Sequence, residues 1–285
     1  MTDNNYCERE DILIFDLEKM KFKTEQTYNK LHIKWRRNHA TEMVGNLMVV
    51  YGGIDDEGHL LDDLWVLDLN LSMRWNYIEV KGIKQKALAH HCSTLVLSSE
   101  KRNHPLLNIF KFPDLPLGRT TIKGSKYEGI VYFGGIDDEG NVNNELRILK
   151  IGRKPLEWII PNVSGSMPQG RLNATINYYE ILNVLILFGG QNQTQDFSND
   201  LHLLNLNSLE WIRVFFYGDI PSQRSSHCSI IHHNQLIIFG GINAEKYVGS
   251  DIFMVNLDIF QKKSNSINNF NKKVQINFPK SYMKK

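Results

Sequence analysis

Apolar and polar residues alternate along most of this chain, and helical periodicity is weak throughout, so the pattern predicts strands. The alternation is organised into units. An apolar run closes on a glycine pair at Val49–Gly53, Ile130–Gly135, Leu185–Gly190 and Leu236–Gly241. Ten residues after each second glycine, an acid opens an alternating stretch: Asp63–Leu69, Glu145–Ile151, Asp200–Leu206 and Asp251–Leu257. Eleven to thirteen residues further on stands a tryptophan in three copies, Trp75, Trp158 and Trp211. The last three glycine pairs are 55 and 51 residues apart, and the first gap is 82. Half of a further copy opens the chain: Asp11–Leu17 aligns with the acid-led stretch, and Phe22 falls at the tryptophan position. An arginine and a histidine three apart often announce the unit, as Arg36 with His39 and Arg224 with His227. The other copies read as degraded, Ala87 with His90 and Arg171 with Ala174.

Each unit reads as four strands. Residues 38–43 and 46–51 supply strands A and B of the first. The glycines end strand B because the chain turns with positive φ there or another backbone comes close. Strand C carries the period-two stretch, and strand D ends near the tryptophan. One such sheet cannot bury both faces alone, but sheets stacked radially cover one another. Residues 36–260 are therefore expected to form four consecutive four-stranded sheets, with the tryptophans buried between neighbours. Val274–Phe278 also alternates and is expected as the fourth strand of the last unit.

The glycine pairs, the acid-led strand, the tryptophan and the period near 50 residues together resemble the kelch repeat. The resemblance covers about residues 11–260 and implies an all-β, kelch-type β-propeller of four full blades plus an N-terminal half blade. It implies little about role, because the fold hosts adaptors, cytoskeletal cross-linkers and a few enzymes. The count is short for the family and leaves sheet edges open, which proteins avoid. Missing blades, a partner chain, self-association that completes the ring, or a strained five-unit ring would each close them.

The long first gap reflects an insertion at about 98–126, between strands A and B of the second unit. Its stretch Leu106–Leu117 is apolar and rich in proline, so the loop either folds back on its own blade or docks a partner. Phe110, Phe112, Leu115 and Leu117 are the candidate anchors. On the opposite end, the B–C loops carry Asp55, Asp56 and Glu57 in one copy and Asp137, Asp138 and Glu139 in the next, an expected acidic patch for a basic partner. Their spacing does not match the twelve-residue calcium loop, and no metal is expected. His90–His91 and His232–His233 invite a metal reading, but His90 and His227 are expected at a structural strand-A position.

Composition narrows the remaining classes. The 285 residues are 42% hydrophobic and 22% charged, with a net charge of +2, so nothing in the total points to specific nucleic-acid binding. From Gln261 onward there are seven lysines and no acid, which reads as a basic, flexible tail over 261–285. Three widely spaced cysteines make no disulfide framework or zinc pattern and suit a reducing, cytoplasmic setting. No apolar run reaches the length of a membrane span. Phosphate-loop, nucleophile-elbow and metalloprotease motifs are absent from the sequence. The expectation is a non-enzymatic scaffold or adaptor that binds other proteins through its loops, without a cofactor. The alternative is an enzyme on the kelch fold, such as a sugar mutarotase or an oxidase-like protein.

Overall fold

The computed structural model describes residues 11–27, 33–69, 73–97, 127–151, 155–217, 220–245, 252–258, 260 and 274–277. Almost all of the regular structure is strand. A half blade opens the chain: β1 (Asp11–Asp16) pairs antiparallel with β2 (Lys21–Gln26). Blade 1 is the antiparallel meander β3 (Ala40–Val44), β4 (Leu47–Tyr51), β5 (Leu64–Asp68) and β6 (Arg74–Tyr77). The chain then makes the two-residue strands β7 (Lys81–Gly82) and β8 (Leu88–Ala89).

Blade 2 begins with β9 (Cys92–Val96) and β10 (Gly129–Phe133). After β11 (Ile136–Asp137), which pairs with β8, come β12 (Leu146–Lys150) and β13 (Glu157–Ile159). A link, β14 (Ser164–Gly165), leads to blade 3, formed by β15 (Thr175–Tyr179), β16 (Val184–Phe188), β17 (Leu201–Asn205) and β18 (Glu210–Tyr217). Blade 4 is β19 (Cys228–His232), β20 (Gln235–Phe239) and β21 (Ile252–Asn256). The arrangement is a kelch-type β-propeller of four blades.

Blades 1 and 2 are each stapled to the next from outside. The chain leaving blade 1 lays β7 parallel on β13, and the chain leaving blade 2 lays β14 parallel on β18. Blade 4 shows three strands among the described residues. The segment expected as its fourth, β22 (Val274–Asn277), instead lies parallel to β18 of blade 3, from Val214↔Val274 to Tyr217↔Asn277. β18 runs eight residues, longer than the three residues of β13, so it has edge enough for both β14 and β22. Part of the basic tail thus joins a sheet.

Side chains on a blade point alternately to the blade before and the blade after. Tyr51, Leu64 and Val66 of blade 1 cluster with Ile130, Tyr132, Leu149 and Trp158 of blade 2. Val131, Phe133, Leu146 and Ile148 then cluster with Leu185, Leu187, Leu204 and Trp211 of blade 3. Ile186, Phe188, Leu201 and Leu203 cluster in turn with Leu236, Ile238 and Val255 of blade 4. Because both faces of an inner blade are covered, β10 and β16 are buried at every residue, which is why they read as unbroken apolar runs.

Trp158 and Trp211 are fully buried at these seams, with Trp158 at 5.0 Å from Tyr51 and Trp211 at 5.6 Å from Phe133. Trp75 differs and is half-buried. Among the described residues, the unit before it is the two-stranded β1–β2, with no aromatic from a strand B laid over Trp75.

Candidate functional site

The glycine pairs bring the blades together at one end of the propeller. The N–H of Gly53 donates to Leu88 O (2.8 Å), that of Gly135 to Arg171 O (2.9 Å) and that of Gly190 to Arg224 O (2.8 Å). Both glycines of every pair have positive φ. At Gly134 a Cβ would sit 2.5 Å from Arg171 O, so close backbone approach also excludes a side chain.

These contacts fix the register between units. A Cβ on the second glycine would meet His39, His91, Ala174 and His227 in blades 1 to 4. The counterpart of His39 in blade 2 is therefore His91, not His90, and the arginine position holds Leu88, not Ala87. The misreading follows from the missing arginine, which left nothing to anchor the count.

His90 belongs to a different set. Asn38, His90, Asn173 and Ser226 all have positive φ, between 52° and 59°. They form a chain of main-chain bonds from blade to blade. His90 N–H donates to Asn38 O, Asn173 N–H to His90 O and Ser226 N–H to Asn173 O, each at 2.9 Å. The His90 ring lies between Asn38 Nδ2 (3.1 Å) and Asn173 Oδ1 (2.9 Å). This rim opens at the same end as the B–C loops.

The recurrent arginine and the recurrent acid prove to be two halves of one ion pair. Arg36 makes a two-pronged contact with Asp63 (2.5 and 2.8 Å) and donates to Gly52 O (3.1 Å). Arg171 repeats this with Asp200 and Gly189 O. In blade 2, Leu88 offers no cation, and Arg147 from β12 pairs with Glu145 instead. Arg224 donates to Gly240 O (3.1 Å). The part-buried Arg36–Asp63 and Arg171–Asp200 pairs tie the segment before strand A to the glycine turn and the start of strand C.

Of the predicted acidic residues, the structure separates the first of each loop from the rest. Asp55 and Asp137 are buried, while Asp56, Glu57, Asp138 and Glu139 are exposed. Asp55 accepts from the N–H groups of Glu57 (3.1 Å) and His59 (2.8 Å) and pairs with Lys34 Nζ (3.0 Å). Asp137 accepts from Glu139 and Asn141 N–H (3.2 and 2.8 Å), from Asn143 Nδ2 (3.1 Å), and pairs with Lys86 (2.8 Å). Burial works against the charge of each carboxylate, but these donors and the lysines win and pull both down to about 2. Both are loop-forming residues, not surface acids.

Asn192 and Asn243 sit at the same position in blades 3 and 4 and close their loops in the same way, accepting from Asp196 N–H (2.8 Å) and Glu245 N–H (3.0 Å). An acid or asparagine two residues past every glycine pair was the available signal. Asp55, Glu57 and His59 bring donor atoms within 4.8 Å of one another. The loop's own hydrogen bonds account for that closeness, and blade 2 has Asn141 where blade 1 has His59.

Phe110, Phe112, Leu115 and Leu117 fall in 98–126, outside the described residues. What the structure shows is the splice. β9 and β10 stay in register up to the insertion, from Cys92↔Phe133 to Val96↔Gly129. Blade 2 is thus a closed sheet on either side of it. Cys92 and Cys228 are free thiols. No helix among the described residues is long and apolar enough to cross a membrane.

Comparisons with known proteins agree with this geometry. Acyl-CoA-binding domain-containing protein 4 of Arabidopsis thaliana is 26% identical over 209 residues, covering 73% of this chain and 27% of that protein. Kelch domain-containing protein 3 of Homo sapiens is 24% identical over 211 residues, 72% of this chain and 48% of its own length. Dynein regulatory complex subunit 7 of Chlamydomonas reinhardtii is 27% identical over 112 residues, 39% of this chain and 10% of that protein. The chain therefore spans half or less of each of these relatives. A family model described as the KLHDC2/KLHL20/DRC7 Kelch-repeats domain matches residues 120–276, more than half of the sequence, and the chain belongs to that kelch-repeat family.

Proposed function

We propose that this propeller is a non-enzymatic scaffold that binds other proteins, with the 98–126 insertion as its chief docking element and the B–C loop face as a second, salt-sensitive site. The undisturbed register of β9 and β10 carries this reading, because a segment that the sheet does not need has been kept in a hairpin that a short turn would close. Its Phe110, Phe112, Leu115 and Leu117 are the residue types that anchor interfaces. The loop face offers Asp56, Glu57, Asp138 and Glu139, held outward by turns whose first acid is spent internally. Two of the six loop acids are neutralised by Lys34 and Lys86, so the second site is weaker than the bare sequence suggests. Its charges are exposed and screened by salt.

Deleting residues 100–124 is expected to remove the principal partner from a co-purification while circular dichroism stays that of the intact protein. Reversing Asp56, Glu57, Asp138 and Glu139 to lysine is expected to weaken binding by less than the deletion, and only at low salt. Binding that survives the deletion in a folded protein would overturn the assignment to the insertion.

A further inference from the structure

The outer face of blade 4 is built as a seam and stands exposed. Three seams between consecutive blades set the standard. At the position of Phe239 they carry Tyr51, Phe133 and Phe188, each no more than 1% exposed. At the position of Ile252 they carry Leu64, Leu146 and Leu201, and at that of Met254 they carry Val66, Ile148 and Leu203, all at 3% or less. In blade 4, Phe239 is 46% exposed, Ile252 58% and Met254 37%. The glycines agree. A Cβ on Gly134 or Gly189 would strike the next blade's backbone at 2.5 or 2.8 Å, but Gly240 keeps φ at +67° with nothing within 4 Å. The face therefore has the shape and the residues of an inner seam, and its established counterparts are covered by the leading face of a kelch blade.

A leading face of that kind is exposed at the other end of the same molecule. Tryptophan in strand D, with the fifth residue of the acid-led stretch, does the covering at blades 2 and 3: Leu149 with Trp158, and Leu204 with Trp211. In the β1–β2 hairpin the matching residues are Phe15 and Phe22, 39% and 67% exposed, and Leu13, at the place of Arg147 and His202 on the same face, is 65% exposed. Phe15 and Phe22 already stack at 4.7 Å. The opposite face, with Ile12 and Ile14, is half-buried. Both exposed faces belong to the same chain.

We propose that the chain associates head to tail with a second copy of itself, the β1–β2 face of one copy covering the outer face of blade 4 of the other. Phe22 then lies over Phe239 as Trp158 lies over Tyr51. The contact is heterologous, since the two surfaces differ, so each copy keeps one head and one tail.

The test is the mass of the whole chain in solution by light scattering and sedimentation, across the micromolar range. The expected result is concentration-dependent growth beyond one chain. Phe239→Asp and Phe22→Asp are each expected to halt the protein at monomer. An equimolar mixture of the two variants is expected to form a dimer that grows no further, because one intact tail still meets one intact head. Circular dichroism checks that each variant folds, and Ile252→Lys serves if Phe239→Asp does not. A wild-type chain that stays monomeric, an assembly indifferent to Phe239→Asp, or folded variants that fail to pair would each overturn the proposal.

Discussion

Three buried histidines give the protein an acid sensitivity that its net charge does not suggest. Burial pulls His91 down to about 3 and His202 and His227 to about 4. Each folded value lies below the ordinary value of about 6.5. The unfolded chain therefore takes up the extra protons. Stability from these groups is complete above about pH 6.5 and is lost as pH falls through that value toward the folded ones. With all three titrating, the slope reaches about 4 kcal/mol per pH unit near pH 5. Denaturant midpoints measured from pH 7 to pH 5 should fall steeply, and His91→Phe, packed between Tyr51 and Tyr132, should flatten the slope by about a third. A flat profile in the wild-type protein would contradict the burial. The sequence showed His91 and His227 only as a recurring letter and gave no signal at His202. Whether such a residue is a ligand or a neutral packing group depends on what covers it, and that is set by the neighbouring blade.

Among the elements, the seam between blades is where single changes should matter most. Trp158→Ala removes a fully buried indole and is expected to cost about 3–5 kcal/mol in a reversible titration. Trp75→Ala, at the same position over an incomplete neighbour, should cost clearly less. Equal losses would show that the half blade covers Trp75 as well as a whole blade covers Trp158. Alanine at Gly134 meets both a left-handed φ and the Arg171 carbonyl, whereas alanine at Gly240 meets only the φ. Gly240→Ala is expected to cost about 1 kcal/mol, and Gly134→Ala several times that, by the same measurement. Strand order and the glycine turns were legible because they repeat at a fixed offset from Gly53 to Asp251. The partner of β22 was not, since alternation in Val274–Asn277 shows that it is a strand but not which edge it finds. The burial of Asp55 and Asp137 was hidden too, because a cluster of acids reads as surface until the backbone donors of the turn are placed around its first member.

For the whole molecule, cohesion and the recognition proposed above fall to different parts of the chain. Seams and ion pairs such as Arg171–Asp200 hold the arc, while Asp56, Glu57, Asp138 and Glu139 stay exposed on loops outside them. The rim at Asn38, His90, Asn173 and Ser226 divides these tasks within single residues. Neighbouring blades are joined there through peptide groups, which every residue but proline supplies in full, and the His90 ring adds contacts to Asn38 and Asn173 on top of that main-chain link. The left-handed backbone still limits the choice to residues that tolerate it, chiefly asparagine, aspartate, histidine and glycine. Evolution can therefore rewrite the mouth of the propeller one blade at a time from a short polar alphabet without loosening the structure behind it.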